Sequence, residues 1–133
     1  MSSPWITGVH HIALKPTLSQ YANTVAFYRD LLGLEEVRAW GDPTHPNRMF
    51  SCGDGTCIEL LSRDDPAPSD GAIPHFALAT TKVDELIEVL RGQGYPIKKE
   101  PDTVVLAGTP CRIAFFYGPV GEEIELFWEN CHE

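Results

Sequence analysis

The sequence predicts an α+β fold in which one plan, a strand, a helix and three further strands, runs twice. Three observations predict it. Two segments recur in the same order: His11-Ile12-Ala13-Leu14 returns 64 residues later as His75-Phe76-Ala77-Leu78, and Ile58-Glu59-Leu60-Leu61 returns 66 residues later as Ile124-Glu125-Leu126-Phe127. Each half carries one helical pattern directly after its His-containing segment. The other apolar segments are short, alternate in character and are bounded by Gly, Pro and Asp, as strands are.

Taken in order, the first strand is expected over 7–14. Thr17 with Gln20 three residues on forms a capping box that opens a helix; its apolar positions are Val25, Phe27, Tyr28, Leu31 and Leu32, and Gly33 stops it. Strands follow over 35–41, 47–52 and 57–62. The run Asp64-Asp65-Pro66-Ala67-Pro68-Ser69-Asp70-Gly71 excludes regular structure and joins the halves. A strand over 73–80 leads into a helix from about Thr81, favoured by Asp84 in its first turn, carrying Val83, Leu86, Ile87, Val89 and Leu90 and ending by Gly92 or Gly94. Strands over 96–101, 111–117 and 122–128 complete the second half. One domain over 1–133 is expected, with repeat one at about 5–63 and repeat two at about 72–129.

Composition narrows the function. The chain is 43% hydrophobic and 22% charged, ordinary for a globular protein. Ten basic against 19 acidic side chains give a formal charge of −9, which repels phosphate backbones and anionic membrane surfaces, so no nucleic acid and no membrane partner is expected. The start Met1-Ser2-Ser3-Pro4-Trp5 has neither the basic stretch nor the apolar core of a signal peptide, and a cytoplasmic location is expected. The four cysteines are accordingly expected as free thiols.

Strand alternation then singles out four residues. His11 shares a face with Val9 and Ala13 while Ile12 and Leu14 point to the other; Glu59, His75 and Glu125 are each flanked by apolar neighbours in the same way. All four belong on the sheet face turned away from the helices. Two imidazoles and two carboxylates suit a divalent ion such as Zn, Ni, Co, Mn or Fe(II), and a metal supplies the charge that buried carboxylates require. His10 competes with His11, but only His11 precedes the Ile-Ala-Leu that matches the segment after His75. His45, in Pro43-Thr44-His45-Pro46, is expected in an exposed loop.

Hairpin register adds two arginines. If loop 53–56 joins Cys52 to Cys57, Phe50 pairs with Glu59 and Arg48 with Leu61; if loop 118–121 joins Tyr117 to Glu122, Ala114 pairs with Glu125 and Arg112 with Phe127. Arg48 and Arg112 would then be internal equivalents on the metal face, able to hold a substrate carboxylate or phosphate.

These motifs, with Phe27-Tyr28-Arg29-Asp30-Leu31-Leu32-Gly33-Leu34 and Gly121-Glu122-Glu123-Ile124-Glu125-Leu126, make the chain similar to the vicinal oxygen chelate superfamily, and within it to glyoxalase I (lactoylglutathione lyase). The resemblance implies two βαβββ modules whose mixed sheet forms a cup around a metal, usually in a homodimer. His11, Glu59, His75 and Glu125 match the His, Glu, His, Glu ligand order of glyoxalase I one for one. Extradiol dioxygenases and fosfomycin-modifying members use three ligands, and methylmalonyl-CoA epimerase typically has Gln where Glu59 stands. The implied activity is a carbon-sulfur lyase of methylglyoxal detoxification, turning a 2-oxoaldehyde thiol hemithioacetal into a 2-hydroxyacyl thioester, with Glu125 as base and Glu59 serving the other face. Lys15, Arg63, Arg48, Arg112 and Phe50 are the expected substrate-binding residues. Lys15 keeps the charge of an Arg that helps hold glutathione in bacterial members; Arg63 replaces their Asn, so another thiol adduct stays open. The alternatives are a methylmalonyl-CoA epimerase-like enzyme and a non-catalytic small-molecule binding or resistance protein.

Overall fold

In the computed structural model, which describes residues 3–65, 74–118 and 123–132, Thr17 and Gln20 close the expected capping box, with the Thr17 N–H donating to Gln20 Oε1 at 3.1 Å. Helix α1 (Leu18–Val25) follows strand β1 (Gly8–Leu14) and precedes β2 (Glu35–Asp42), β3 (His45–Ser51) and β4 (Cys57–Leu61). The plan repeats as β5 (His75–Ala79), α2 (Val83–Gly92), β6 (Ile97–Leu106), β7 (Thr109–Tyr117) and β8 (Glu123–Glu129). The fold is therefore α+β and built as βαβββ twice. The latter part of the expected join (66–71), the first residue of the 73–80 strand, residues 119–121 of the expected loop and Glu122 lie outside the described residues.

The chain forms two compact units. One comprises His11–Pro74; the other joins the residues up to His10 with those from His75 onward, so β1 is divided between its two histidines. In the His11–Pro74 unit the strand order is β2-β3-β4-β1, with β1 parallel to β4 and the other pairs antiparallel. Tyr21 and Val25 of α1 pack on Phe50 and Leu60 of this sheet, joined by Leu14, Tyr28, Leu34 and Ile58. The Tyr21 hydroxyl donates to the Leu60 carbonyl at 3.2 Å, and burial pushes its pKa up to about 12, the nearby Arg48 charge opposing the rise and Glu36 adding to it.

In the other unit the order is β5-β8-β7-β6, again with one parallel pair, β5 with β8. Val83, Leu86 and Ile87 of α2 pack on Ala114, Phe116, Ile124 and Leu126, and Trp5 and Ile6 close the same core. A second cluster, Ala77, Cys111, Ile113 and Phe127, fills the opposite face of this sheet. Both helices thus cover the Ile and Leu positions, as alternation requires.

Two departures from the sequence reading have local causes. After Val25 the helix widens into a π-helical segment, Ala26–Leu31, in which the Leu32 N–H reaches the Phe27 carbonyl at 3.0 Å. The wider turn shifts the phase of the apolar stripe, so Phe27, Leu31 and Leu32 are 45%, 74% and 52% exposed instead of lying in the core. In the second half, β6 and β7 extend beyond 101 and ahead of 111 until only Ala107-Gly108 joins them, both at positive φ (49° and 85°). That is the conformation of a two-residue hairpin turn, and Ala is a poor signal for it. Among the described residues no helix is long and apolar enough to cross a membrane.

Candidate functional site

Each unit holds one of the expected His/Glu pairs. In the His11–Pro74 unit, β1 lies parallel to β4 with Ala13 opposite Glu59, so His11, Ala13 and Glu59 share a face, and Ile12, Ile58 and Leu60 take the other. His11 is 0% exposed and Glu59 5%, and His11 Nε2 lies 3.4 Å from Glu59 Oε1. In the other unit β5 runs parallel to β8 with Ala77 opposite Glu125. His75 is 8% exposed and Glu125 5%, and His75 Nε2 lies 3.2 Å from Glu125 Oε1. An imidazole nitrogen and a carboxylate oxygen are thus brought together in water-poor surroundings at equivalent places of both repeats. Carboxylates removed from water need a cationic partner, and paired N and O donors of this kind suit a borderline divalent ion.

His10 has a different role from its neighbour. Buried in the unit that contains β8, it stacks on Phe127, with ring centroids 3.9 Å apart, and its Nε2 lies 3.3 Å from Glu129 Oε2. His45 is exposed as expected but opens strand β3 instead of lying in a loop, because β2 and β3 pair as far as Asp42 and His45, and it meets Asp64 at 2.8 Å.

The arginine expectation is overturned by one residue of register. Ser51, not Cys52, pairs with Cys57, because the loop between β3 and β4 is five residues long, closed by the Cys52 N–H on the Thr56 carbonyl at 2.9 Å, with Gly53 and Gly55 both at φ +95°. Met49 consequently stands opposite Glu59, while Arg48 pairs with Leu60 and Phe50 with Ile58 on the helix-covered face. Phe50 is a core residue beneath α1, and Arg48 reaches Glu36 at 2.9 Å. The second hairpin shifts the same way: Tyr117 pairs with Glu123, Phe115 with Glu125, Ala114 with Leu126 and Arg112 with Trp128. Arg112 grips Asp84 at the start of α2 through Nε (3.0 Å) and Nη2 (2.6 Å). That bond holds the Arg112 pKa up and the Asp84 pKa down. Nor are the two arginines equivalents: Leu60 answers to Leu126, whose partner is Ala114.

The other two expected substrate-binding residues stand apart from the pairs. Lys15 is exposed just past the end of β1, two residues on from Ala13. Arg63, half-buried, holds the entry to α1 through its backbone, its N–H on the Pro16 carbonyl (3.1 Å) and its carbonyl accepting from the Leu18 N–H (2.8 Å).

Asn47 and Ile113 stand where the arginines were expected, opposite Leu61 and Phe127, and residues not singled out from sequence stand opposite the two glutamates. Met49 faces Glu59, and Phe115 faces Glu125 while meeting His75 edge-on at 5.4 Å. Glu123 also faces His75, Oε2 lying 3.9 Å from Nδ1, and its other oxygen accepts from Lys98, an ion pair that raises the Lys98 pKa. The signal for Glu123 was present: it precedes Glu125 by two residues and so must share its face.

A βαβββ plan run twice, with a buried His/Glu pair in each copy, defines a class of small metal-suited domains, and the family follows from the sequence match. The chain belongs to the Glyoxalase/Bleomycin resistance protein/Dioxygenase superfamily, whose family model matches residues 8–126. Methylmalonyl-CoA epimerase from Mycobacterium tuberculosis has a similar structure, with a TM-score of 0.74 at 21% identity over 96% of this chain and 91% of that one. A variant of the Streptomyces coelicolor methylmalonyl-CoA epimerase in complex with 2-nitronate-propionyl-CoA gives 0.72 at 23% identity, over 92% and 97%. A mutant of 4-hydroxymandelate synthase from Streptomyces coelicolor gives 0.73 at 14%, over 98% of this chain and 50% of that one. At these identities the likeness establishes the shared fold. No curated protein matches the sequence.

Proposed function

We propose that this protein is a metal-dependent enzyme that moves a proton at a carbon next to a carbonyl, in the manner of an epimerase acting beside a thioester. The observation that carries the reading is the buried His/Glu pair present in both repeats. We assign His11, Glu59, His75 and Glu125 as the ligands of one divalent ion, with Zn, Ni, Co, Mn and Fe(II) all compatible with the donors. Bound there, the ion would act as a Lewis acid toward the charge that develops on the carbonyl oxygen.

The protein's own groups then divide the proton transfer. Glu125 accepts the proton as the C–H bond breaks, the electron pair passing onto the carbonyl oxygen; the carbon is reprotonated on its other face from Glu59, which has first taken a proton from solvent, and Glu125 returns its own proton to solvent. Lys15 and Arg63 are assigned to the distal, anionic part of the substrate. A thioester substrate class is supported by the epimerases among the structural neighbours, one of them bound to a propionyl-CoA analogue. The working form is assigned as a homodimer, which sedimentation of the purified protein checks.

Glu59 favours a second reading. Epimerases of the superfamily typically carry Gln at this place, whereas Glu completes the glyoxalase I set, so a hemithioacetal of a 2-oxoaldehyde and a thiol such as glutathione is the other substrate to try. The deciding experiment loads the protein with Co, Ni or Zn and follows two reactions. One is deuterium uptake from solvent at the α carbon of methylmalonyl-CoA; the other is thioester formation from methylglyoxal and several thiols. Exchange without thioester formation is the expected result. Thioester formation alone replaces the first reading by the second, and neither reaction with any metal rejects both.

A further inference from the structure

The two histidines differ in what stands behind them. In β5 and β8 the parallel register sets Phe76 opposite Ile124, and one step back along it His75 faces Glu123. In β1 and β4 the same register sets Ile12 opposite Ile58 and His11 opposite Cys57. The second repeat therefore offers a carboxylate beside its histidine at the place where the first offers a thiol.

Glu123 is held in that position by Lys98. One oxygen accepts from the Lys98 ammonium, while Oε2 lies 3.9 Å from His75 Nδ1, on the ring edge opposite the Nε2 that meets Glu125 at 3.2 Å. Phe115 stands edge-on to the His75 ring at 5.4 Å, and the Lys98 ammonium lies 5.9 Å from the Phe115 ring centre. Glu123, backed by Lys98, thus faces the Nδ1 edge of the imidazole, and Phe115 packs edge-on to the same ring. Histidines that bind metals through one nitrogen are commonly oriented by a carboxylate on the other, which fixes the tautomer and strengthens the donor.

We propose that Glu123, held by Lys98, is a positioning residue that keeps the His75 proton on Nδ1 and so presents the Nε2 lone pair to the metal. This rests on the assignment of His75 as a ligand given above. In the first repeat the equivalent place beside His11 is taken by Cys57.

Two measurements on the full chain test it. Co(II) titration against a competing chromophoric chelator should give about 10–100-fold weaker binding for Glu123→Ala than for the unaltered protein. Glu123→Gln, which keeps an oxygen facing Nδ1, should bind closer to the unaltered level than Glu123→Ala does. Nitrogen-15 NMR of the metal-free protein should find His75 as the Nδ1–H tautomer in the unaltered protein and in Glu123→Gln, and a mixture in Glu123→Ala. Equal Co(II) affinity and an unchanged tautomer in Glu123→Ala overturn the inference. Absence of Co(II) binding by the unaltered protein overturns the ligand assignment instead, and the tautomer measurement still reads the hold of Glu123 on the ring.

Discussion

In one repeat, His11 and Glu59 share their sheet face with Met49 and Cys57; in the other, His75 and Glu125 share it with Phe115 and Glu123, and Lys98 pairs with Glu123. The donors are duplicated and their surroundings are not. Strand pairing explains the first half of this, because a parallel strand pair with the same register puts His and Glu on one face wherever it is built. Residues opposite and behind those donors are set by separate positions in the chain, and these have diverged. The difference teaches that a repeated frame can hold its His/Glu pair constant while placing a carboxylate beside one histidine where a thiol stands beside the other.

The sharpest way to test that comparison is to remove one carboxylate from each repeat. Glu125→Gln should lower the rate of α-proton exchange by about 10²–10⁴-fold, the usual contribution of a positioned base. Glu59→Gln, which installs the residue epimerases of this superfamily typically carry, should cost less and should abolish any thioester formation from methylglyoxal. Equal losses in the two variants, measured by deuterium uptake under the same metal loading, would show the repeats to be functionally equivalent and break the comparison.

The next effect is on stability and separates the two helix-covered cores. Ile87 of α2 is 0% exposed, so Ile87→Ala should destabilise the protein by about 2–5 kcal/mol in a denaturant titration. Tyr21→Phe under α1 removes only the hydrogen bond to the Leu60 carbonyl and should cost about 1 kcal/mol. The same tyrosine sets a pH dependence. Its folded pKa is raised from 10.0 to about 12, so the unfolded chain loses this proton first, and the stability tied to Tyr21 falls as pH rises through that window. In Tyr21→Phe that part of the alkaline loss should disappear; an unchanged alkaline profile would mean the phenol is not held neutral by burial.

The smallest expected effects belong to the arginines. Arg112→Met loses a partly exposed ion pair with Asp84, and Arg48→Met one with Glu36; each should change stability by no more than about 1 kcal/mol. Because both lie on the helix-covered faces, neither should alter KM. A tenfold rise in KM for either variant would place that arginine on the substrate side and contradict the register described above.

Much of this was legible in the sequence, and the limit lies in loop length. His11, Glu59, His75 and Glu125 could be found because period-two alternation and the internal repeat are properties of the chain itself, independent of how strands are joined. The order of the strands and helices among the described residues followed from the same patterns, while the ends of α1 and β6 did not. The faces of Arg48, Phe50 and Arg112 depended on whether a hairpin loop holds four or five residues, and Cys52-Gly53-Asp54-Gly55-Thr56 supports either until the Cys52 to Thr56 bond is seen. A one-residue slip sends every side chain of β3 to the other face. The π-helical widening after Val25 was hidden for a similar reason: it changes helical phase without a Gly or Pro to announce it.

Elemental analysis of the purified protein tests the central claim most directly. The account predicts about one divalent ion per chain, retained through gel filtration and lost in Glu125→Ala and in His11→Ala alike, as the proposed assignment of both residues to one ion requires. A preparation that carries no metal and takes up none of Zn, Ni, Co, Mn or Fe(II) would contradict it.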